Sequence, residues 1–267
     1  MTECAMNTKR SAPYVTDDWR VKVPAITLSF WIIKILCTTV GETAADYLAI
    51  DAGWGQAATR IVMAALLIGA LAIQLRKRRY TPWAYWLAVV LVSIVGTQIT
   101  DLFTDGLGVS LYVSTPVCTV ILVIVFTVWY GVERTLSIHD IVSRRRELFY
   151  WAAILCTFSL GTAAGDLATE ALGMGFAWGV AIFGFLIALT YVGFRAGGHA
   201  VLAFWIAYIL TRPLGASLGD LLTQSRQLGG LDMGVSWTSA LFLTVIVLLV
   251  VVEQYTLSSR QSAHIAR

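Results

Sequence analysis

Four aspartates recur at fixed positions within long apolar stretches of the chain. Each aspartate stands fifteen residues after a tryptophan and five after a glycine, in the pattern W-x9-G-x4-D. The aspartates are Asp46, Asp101, Asp166 and Asp220, the glycines are Gly41, Gly96, Gly161 and Gly215, and the tryptophans are Trp31, Trp86, Trp151 and Trp205. A carboxylate at membrane depth persists only where it faces the protein interior, water or a counter-ion. The repeated aspartates therefore predict a site for a cation or a proton.

Further ionisable residues lie in the same stretches. Glu42 precedes the aspartate of its own repeat by one helical turn, while Asp105 and Glu170 follow theirs by one turn, nearer the outer mouth. Lys34 and Arg212 are the basic residues within these stretches, and Arg212 lies about one turn below Glu42 in depth. This spacing predicts an ion pair between the first and seventh helices. The remaining excess of acidic groups favours uptake of protons or cations.

The oxygen-rich surroundings indicate which cations would suit such a site. Thr43 and Gln98 are auxiliary polar candidates, and the four repeated aspartates are themselves the candidate metal ligands. Oxygen ligands favour hard cations such as magnesium, manganese or sodium. In the alternative interpretation, each aspartate caps a helix or bonds backbone amides near the outer surface, and the basic residues form structural pairs only.

The repeated glycines and tryptophans also allow two interpretations. The glycines predict close helix contacts, since small residues let helix backbones approach in membranes. The tryptophans are expected either as interfacial anchors or as packing residues that line an internal face.

The elements that carry these residues are predicted to be membrane-spanning helices. The chain is 58% hydrophobic and 13% charged, with a mean hydropathy of +0.75. Its apolar runs have about the twenty residues that a helix needs to cross a bilayer. Eight helices are predicted at residues 24–48, 58–75, 82–104, 111–133, 149–171, 175–194, 200–222 and 234–254.

Charge distribution predicts the orientation and the domain organisation. Most of the 19 lysines and arginines fall at one end of the predicted helices, so the positive-inside rule places both termini in the cytoplasm. The predicted fold is all-α, with eight transmembrane helices as four parallel tandem helical hairpins, pseudo-symmetric about the membrane normal. The predicted units are a cytoplasmic segment at 1–22, repeats at 23–80, 81–146, 147–198 and 199–257, and a cytoplasmic tail at 258–267.

Several classes of function lack their signatures in the sequence. No haem, nucleotide or flavin motif is present, and the carboxylates have neither a nucleophile nor a histidine ligand beside them, so an enzyme is not expected. A nucleic-acid partner is not expected either, because topology accounts for the distribution of basic residues. The expected partners are membrane lipid and a transported cation or proton, and the sequence identifies no protein partner.

The four W-x9-G-x4-D units, together with the opening KVPAITLSFWIIKILCTTVGETAADYLA, resemble a bacterial membrane-protein family defined by a fourfold tandem repeat of unknown function. The resemblance covers residues 24 to about 257. It implies two transmembrane segments per repeat, a characteristic tryptophan and a location in the bacterial inner membrane. It implies no substrate.

The leading functional hypothesis is a secondary transporter for a cation, such as manganese or magnesium, moved in exchange for protons past the ring of aspartates. A cation channel and a non-transporting membrane anchor or sensor are the alternatives. A channel would pass currents that follow the membrane potential, whereas an anchor would pair its aspartates internally.

Overall fold

The computed structural model describes residues 21–48, 53 and 55–265, without the side chains of residues 45, 46 and 260–265. The predicted cytoplasmic segment therefore lies almost wholly outside the described residues. The described part of the chain is helical and contains no β-strand. Its helices are α1 (Leu28–Asp46), α2 (Gln56–Arg76), α3 (Pro82–Asp101), α4 (Leu111–Glu133), α5 (Arg144–Asp166), α6 (Phe176–Arg195), α7 (Ala200–Thr223) and α8 (Val235–Ile265).

Seven of the described helices, α2 to α8, are long and apolar enough to cross a membrane. Only 11–28% of the spanning residues of α2, α4, α6 and α8 are buried, against 50–67% in α3, α5 and α7. The even-numbered helices thus form the outer layer, whose apolar side chains lipid would cover. That α1 also spans the membrane stays a prediction.

The odd-numbered helices surround the centre of the bundle. α1 packs against α3 and α7, and α5 also packs against α3 and α7, which closes a ring of four helices. Each outer helix packs mainly on the inner helix of the following repeat: α2 on α3, α4 on α5, α6 on α7, and α8 on α1. Among the described residues, the two helices of one repeat contact each other far less. The outer helices therefore join neighbouring repeats.

Three inner helices change geometry directly after their repeated aspartate. α3 and α5 continue into wider π-helical turns at Leu102–Gly106 and Leu167–Ala171, and residues 47 and 48 after α1 are also π-helical. α7 instead continues as an α-helix to Thr223. π-helical turns are rare and are frequent at functional sites. The aspartates of the first three repeats therefore mark a special point in the backbone.

Two helices extend well beyond their predicted bounds. α5 begins at Arg144, five residues before the predicted start, and α8 continues to Ile265, eleven residues beyond the predicted end. The prediction ends each span at charged residues, but lysine, arginine and glutamate are good helix formers and do not end a helix. α5 begins where the Ser143 side chain accepts a hydrogen bond from the Arg146 backbone, a normal N-cap.

Candidate functional site

The repeated glycines bring the four inner helices close together. A Cβ atom at any of them would overlap the neighbouring inner helix at the position three residues before that helix's own glycine. The contacts are Gly41 with Ser93, Gly96 with Phe158, Gly161 with Arg212, and Gly215 with Thr38. The same register is thus repeated at all four interfaces. Because each aspartate follows its glycine by five residues, the four aspartates lie at the same level of the ring of inner helices.

Carboxylates carried by the four inner helices lie near one another at about this level. Asp166 lies close enough to four other carboxylates for their charges to act on it: Glu42, Asp220, Glu170 and Asp101. Glu42 and Asp220 are buried, each with 8% of its surface exposed, whereas Asp101 and Asp166 are half-buried. The cluster thus reaches from the protein interior toward one open end of the ring.

The remaining predicted acidic residues differ in position. Glu170 and Asp105 are exposed, as expected for residues at the outer mouth. Asp46 is the last residue of α1, but its side chain lies outside the described residues. Among the described side chains, no group of three or more histidine, cysteine, aspartate or glutamate residues is arranged to hold a metal ion. Metal binding by the four repeated aspartates therefore stays a prediction.

Arg212 forms the ion pair expected between α7 and α1. Its Nη2 atom lies 2.7 Å from Oε2 of Glu42 and also donates to the Thr97 hydroxyl, which lies 3.2 Å from the same glutamate oxygen. Nη1 donates to the Thr38 carbonyl at 3.3 Å, while Nε has no hydrogen-bond partner among the described residues. Arg212 is completely buried. Since Asp101 follows Thr97 by one turn on the same helix, it lies above this network on the same face.

The two auxiliary residues proposed from the sequence differ in their surroundings. Thr43 accepts a hydrogen bond from Ser239 of α8 at 2.7 Å, so it lies between the inner and outer layers. Gln98 is buried, and its Oε1 atom accepts no hydrogen bond from a described residue. Thr97 is the hydroxyl that lies beside the central ion pair, one turn before Asp101 on α3.

Lys34 lies about two turns below Glu42 on α1 and is completely buried. Its ammonium donates to the Thr211 hydroxyl at 3.2 Å and lies 4.2 Å from the ring centres of both Phe158 and Tyr208. Among the described side chains, no carboxylate lies within 4 Å of it. Two aromatic faces and one hydroxyl therefore surround the Lys34 amino group.

A closed ring of aromatic side chains lies at the other end of the inner helices. The residue before each repeated tryptophan is also aromatic, and its side chain contacts the tryptophan of the next repeat, with ring centres 5.5–6.3 Å apart. The pairs are Phe30 with Trp86, Tyr85 with Trp151, Tyr150 with Trp205, and Phe204 with Trp31. We call these eight residues the aromatic ring.

Most of the repeated tryptophans are packing residues inside the protein. Trp86, Trp151 and Trp205 are buried, so they pack inside the protein and do not anchor it at the membrane surface. Two of them also bond outward: Trp86 donates to Glu253 of α8 at 3.1 Å, and Trp205 to the Leu136 carbonyl at 3.0 Å. The sequence analysis missed the ring, although the aromatic residue before each tryptophan was visible in the four units.

A buried polar cluster lies beyond the aromatic ring. Lys22, which charge counting had assigned to topology, is buried and lies 2.5 Å from Glu147 at the start of α5. Gln74 of α2 donates to the same carboxylate at 3.1 Å. The Lys22 backbone N–H bonds the Ile141 carbonyl. The segment before α1 is thereby fixed across this end of the bundle.

Comparison with known proteins gives a family but no close relative. The model of a family described as "Repeat of Unknown Function (DUF347)" matches the chain four times, over residues 29–80, 84–135, 149–196 and 203–257. These matches cover more than half of the chain and confirm the resemblance inferred from the W-x9-G-x4-D units. No curated protein and no solved structure matches the chain.

Proposed function

The chain belongs to this family of fourfold repeats, and we propose that it is a secondary transporter that moves a cation through the centre of the bundle. The observation that carries the proposal is the convergence of carboxylates from four inner helices around Asp166, with Arg212 as the one buried arginine among the described residues. Desolvated like charges repel, so such a cluster is stabilised by taking up cations or protons. Oxygen ligands suit divalent metals such as manganese or magnesium, with protons as the exchanged species.

Arg212 gives the transporter an internal replacement for its substrate. In the described arrangement its guanidinium neutralises Glu42, which keeps one carboxylate of the cluster paired. A bound cation would compete with Arg212 for Glu42. The guanidinium would then retain its contacts with Thr97 and the Thr38 carbonyl. Binding of the cation would therefore displace Arg212 from Glu42 in the same step.

The two ends of the inner ring differ in the way that a carrier requires. Half-buried and exposed carboxylates lie at one end, whereas the aromatic ring and the completely buried Lys34 close the other. A protonated lysine side chain there would oppose the passage of a cation. We propose that Lys34 and the aromatic ring form the gate that opens when the acidic end closes. An always-open pore does not fit this arrangement.

We further propose that the four repeats are related by pseudo-fourfold symmetry about the membrane normal, in a bacterial inner membrane with both termini cytoplasmic. Support comes from the glycine contacts and the aromatic ring, because each set runs in one direction from every repeat to the next. The acidic end would then face outward, away from the basic loops.

Flux into proteoliposomes tests the proposed transport. Purified protein is reconstituted with a metal-sensitive dye and a pH dye inside the vesicles, and Mn²⁺ is added outside. Asp101→Asn and Asp166→Asn are each expected to lower Mn²⁺ flux at least about tenfold, because each removes a charge from the cluster. Asp232→Asn is the matched control, since Asp232 is exposed in a loop and asparagine tolerates its positive φ of 58°. Absent flux, or equal flux in all variants, would refute the proposal.

A non-transporting anchor or sensor is the second candidate. It is favoured by the pairing of Glu42 with Arg212 and by the lack of a three-ligand metal cluster among the described residues. The same experiment separates the candidates. An anchor gives no flux with any cation. A channel gives cation flux that follows the membrane potential without proton movement. A carrier gives cation flux together with proton movement, so the signals of both dyes change.

A further inference from the structure

A pocket of about 390 Å³ lies at the basic end of the bundle, apart from the central carboxylates. It lies between the α2–α3 connection and the C-terminal part of α8. Its lining residues are Lys77, Arg78, Arg79, Tyr80, Thr81, Pro82, Gln254, Leu257 and Ser258. Three consecutive cations and several hydroxyl groups thus surround one small space, and no carboxylate is among its lining residues.

The charges around this pocket are not neutralised from within the described structure. None of the three basic residues forms an ion pair with a described side chain. The nearest acidic residue on α8, Glu253, is already bound by the Tyr80 hydroxyl at 3.0 Å and by Trp86. Burial, and the nearby Glu253 carboxylate, raise the pKa of Tyr80 well above its usual value, so this hydroxyl stays a donor. Among the described residues, the pocket is therefore lined by three cations that have no acidic partner.

The position of the pocket indicates how an anion would reach it. It adjoins the last residue of one spanning helix and the first of the next. Trp83, which is 43% exposed, lies beside it with the Lys77 ammonium 5.0 Å from its ring centre. Exposed tryptophans and basic residues at the ends of spans mark the level of lipid headgroups.

We propose that this pocket binds a phosphate-bearing anion, which an anionic lipid headgroup supplies in the membrane and a soluble phosphate could supply in its absence. Clustered lysine and arginine next to a spanning helix bind anionic lipid, and their ammonium and guanidinium groups donate hydrogen bonds to phosphate oxygens. The hydroxyls of Thr81 and Ser258 also lie at the pocket, but they donate to the carbonyls of Arg79 and Gln254. The Tyr80 backbone also bonds the Val21 carbonyl, beside the buried Lys22. The bound anion would thus hold the loop between α2 and α3, and this loop in turn holds the segment before α1.

Native mass spectrometry of the full-length protein in detergent tests this proposal. The protein is titrated with phosphatidylglycerol and, separately, with zwitterionic phosphatidylcholine, and retained lipid is counted. The pocket variant Arg78→Gln/Arg79→Gln removes two exposed charges, so folding is retained. Its affinity for phosphatidylglycerol is expected to fall about thirtyfold, or roughly fivefold per cation. The control Arg144→Gln/Arg195→Gln removes two exposed charges from the same end of the bundle, outside the pocket, and is expected to bind normally.

A second variant and a second ligand make the test decisive. Ser258→Asp keeps all three cations but adds a negative charge to the pocket, so it is also expected to weaken binding. Inorganic phosphate added as a competitor separates the two sources of the anion. Displacement of lipid at millimolar phosphate supports a site that soluble phosphate also fills, and no displacement supports recognition of the lipid alone. Equal binding of both lipids, or equal affinity of wild type and pocket variant, would overturn the proposal.

Discussion

Removal of one partner of the Arg212–Glu42 pair is the sharpest test of the central network. In Glu42→Gln the guanidinium remains charged and completely buried, and it loses the carboxylate 2.7 Å away. Breaking a buried ion pair from one side costs about 3–5 kcal/mol, because the remaining charge keeps its desolvation penalty. We therefore expect the free energy of unfolding to fall by about that amount.

The variant Arg212→Met and the double variant separate the effect of the ion pair from the effect of side-chain packing. Arg212→Met keeps the Cβ and Cγ atoms that pack against Gly161, so it removes mainly the charge and the hydrogen bonds. The carboxylate it leaves can take up a proton or a cation, so we expect a smaller loss of about 1–3 kcal/mol. The double variant has no buried charge at this point. It should recover at least about 2 kcal/mol relative to the sum of the single effects.

Reversible unfolding in mixed detergent micelles measures these differences. The signal is the tryptophan fluorescence, since three of the four tryptophans in the aromatic ring are buried when the protein is folded. Additive effects, within about 0.5 kcal/mol, would show that the two side chains do not interact. That result would refute the central ion pair and, with it, the role given to Arg212 as an internal substitute for the substrate.

Two further predictions concern packing and the gate. Gly161→Ala should lower the unfolding temperature, with a loss of about 1–3 kcal/mol, because its Cβ would lie only 2.5 Å from that of the neighbouring arginine. Gly184→Ala, a helical glycine with open space around it, should raise the temperature slightly, and equal behaviour of the two variants would contradict the close contact. Lys34→Met should make the protein about 1–4 kcal/mol more stable in the same unfolding assay, because it removes a completely buried amino group that has no carboxylate within 4 Å among the described side chains. It should also slow proton-coupled flux in proteoliposomes, and unchanged flux would remove Lys34 from the gate.

Much of the inner ring could be predicted from the sequence. The fourfold spacing identified the repeats, and counting residues along two helices placed Arg212 near Glu42. This succeeded because the depth of a residue in a spanning helix follows from its number. The same counting did not predict the hydrogen bond from Ser239 to Thr43, because depth does not determine the direction in which a side chain points around the helix.

Other features depend on contacts that the sequence does not specify. The packing of each outer helix on the next repeat was not predicted, since lipid and protein are both apolar and an outer helix carries no pattern that identifies its neighbour. Lys22 resembled any other basic residue before a span. Its burial requires Glu147 from α5, which is distant in the chain.

The packing of α8 on α1 also determines when α1 can be covered during synthesis. Because α8 of the fourth repeat covers α1 of the first repeat, α1 lacks its outer neighbour until the ribosome has reached the end of the fourth repeat. A fragment cut in the loop between α4 and α5 would leave α1 uncovered and α4 without its supporting helix. Neither half can close the ring of four inner helices by itself, so folding is expected to be late and cooperative. Separately expressed halves should associate and restore the complete ring.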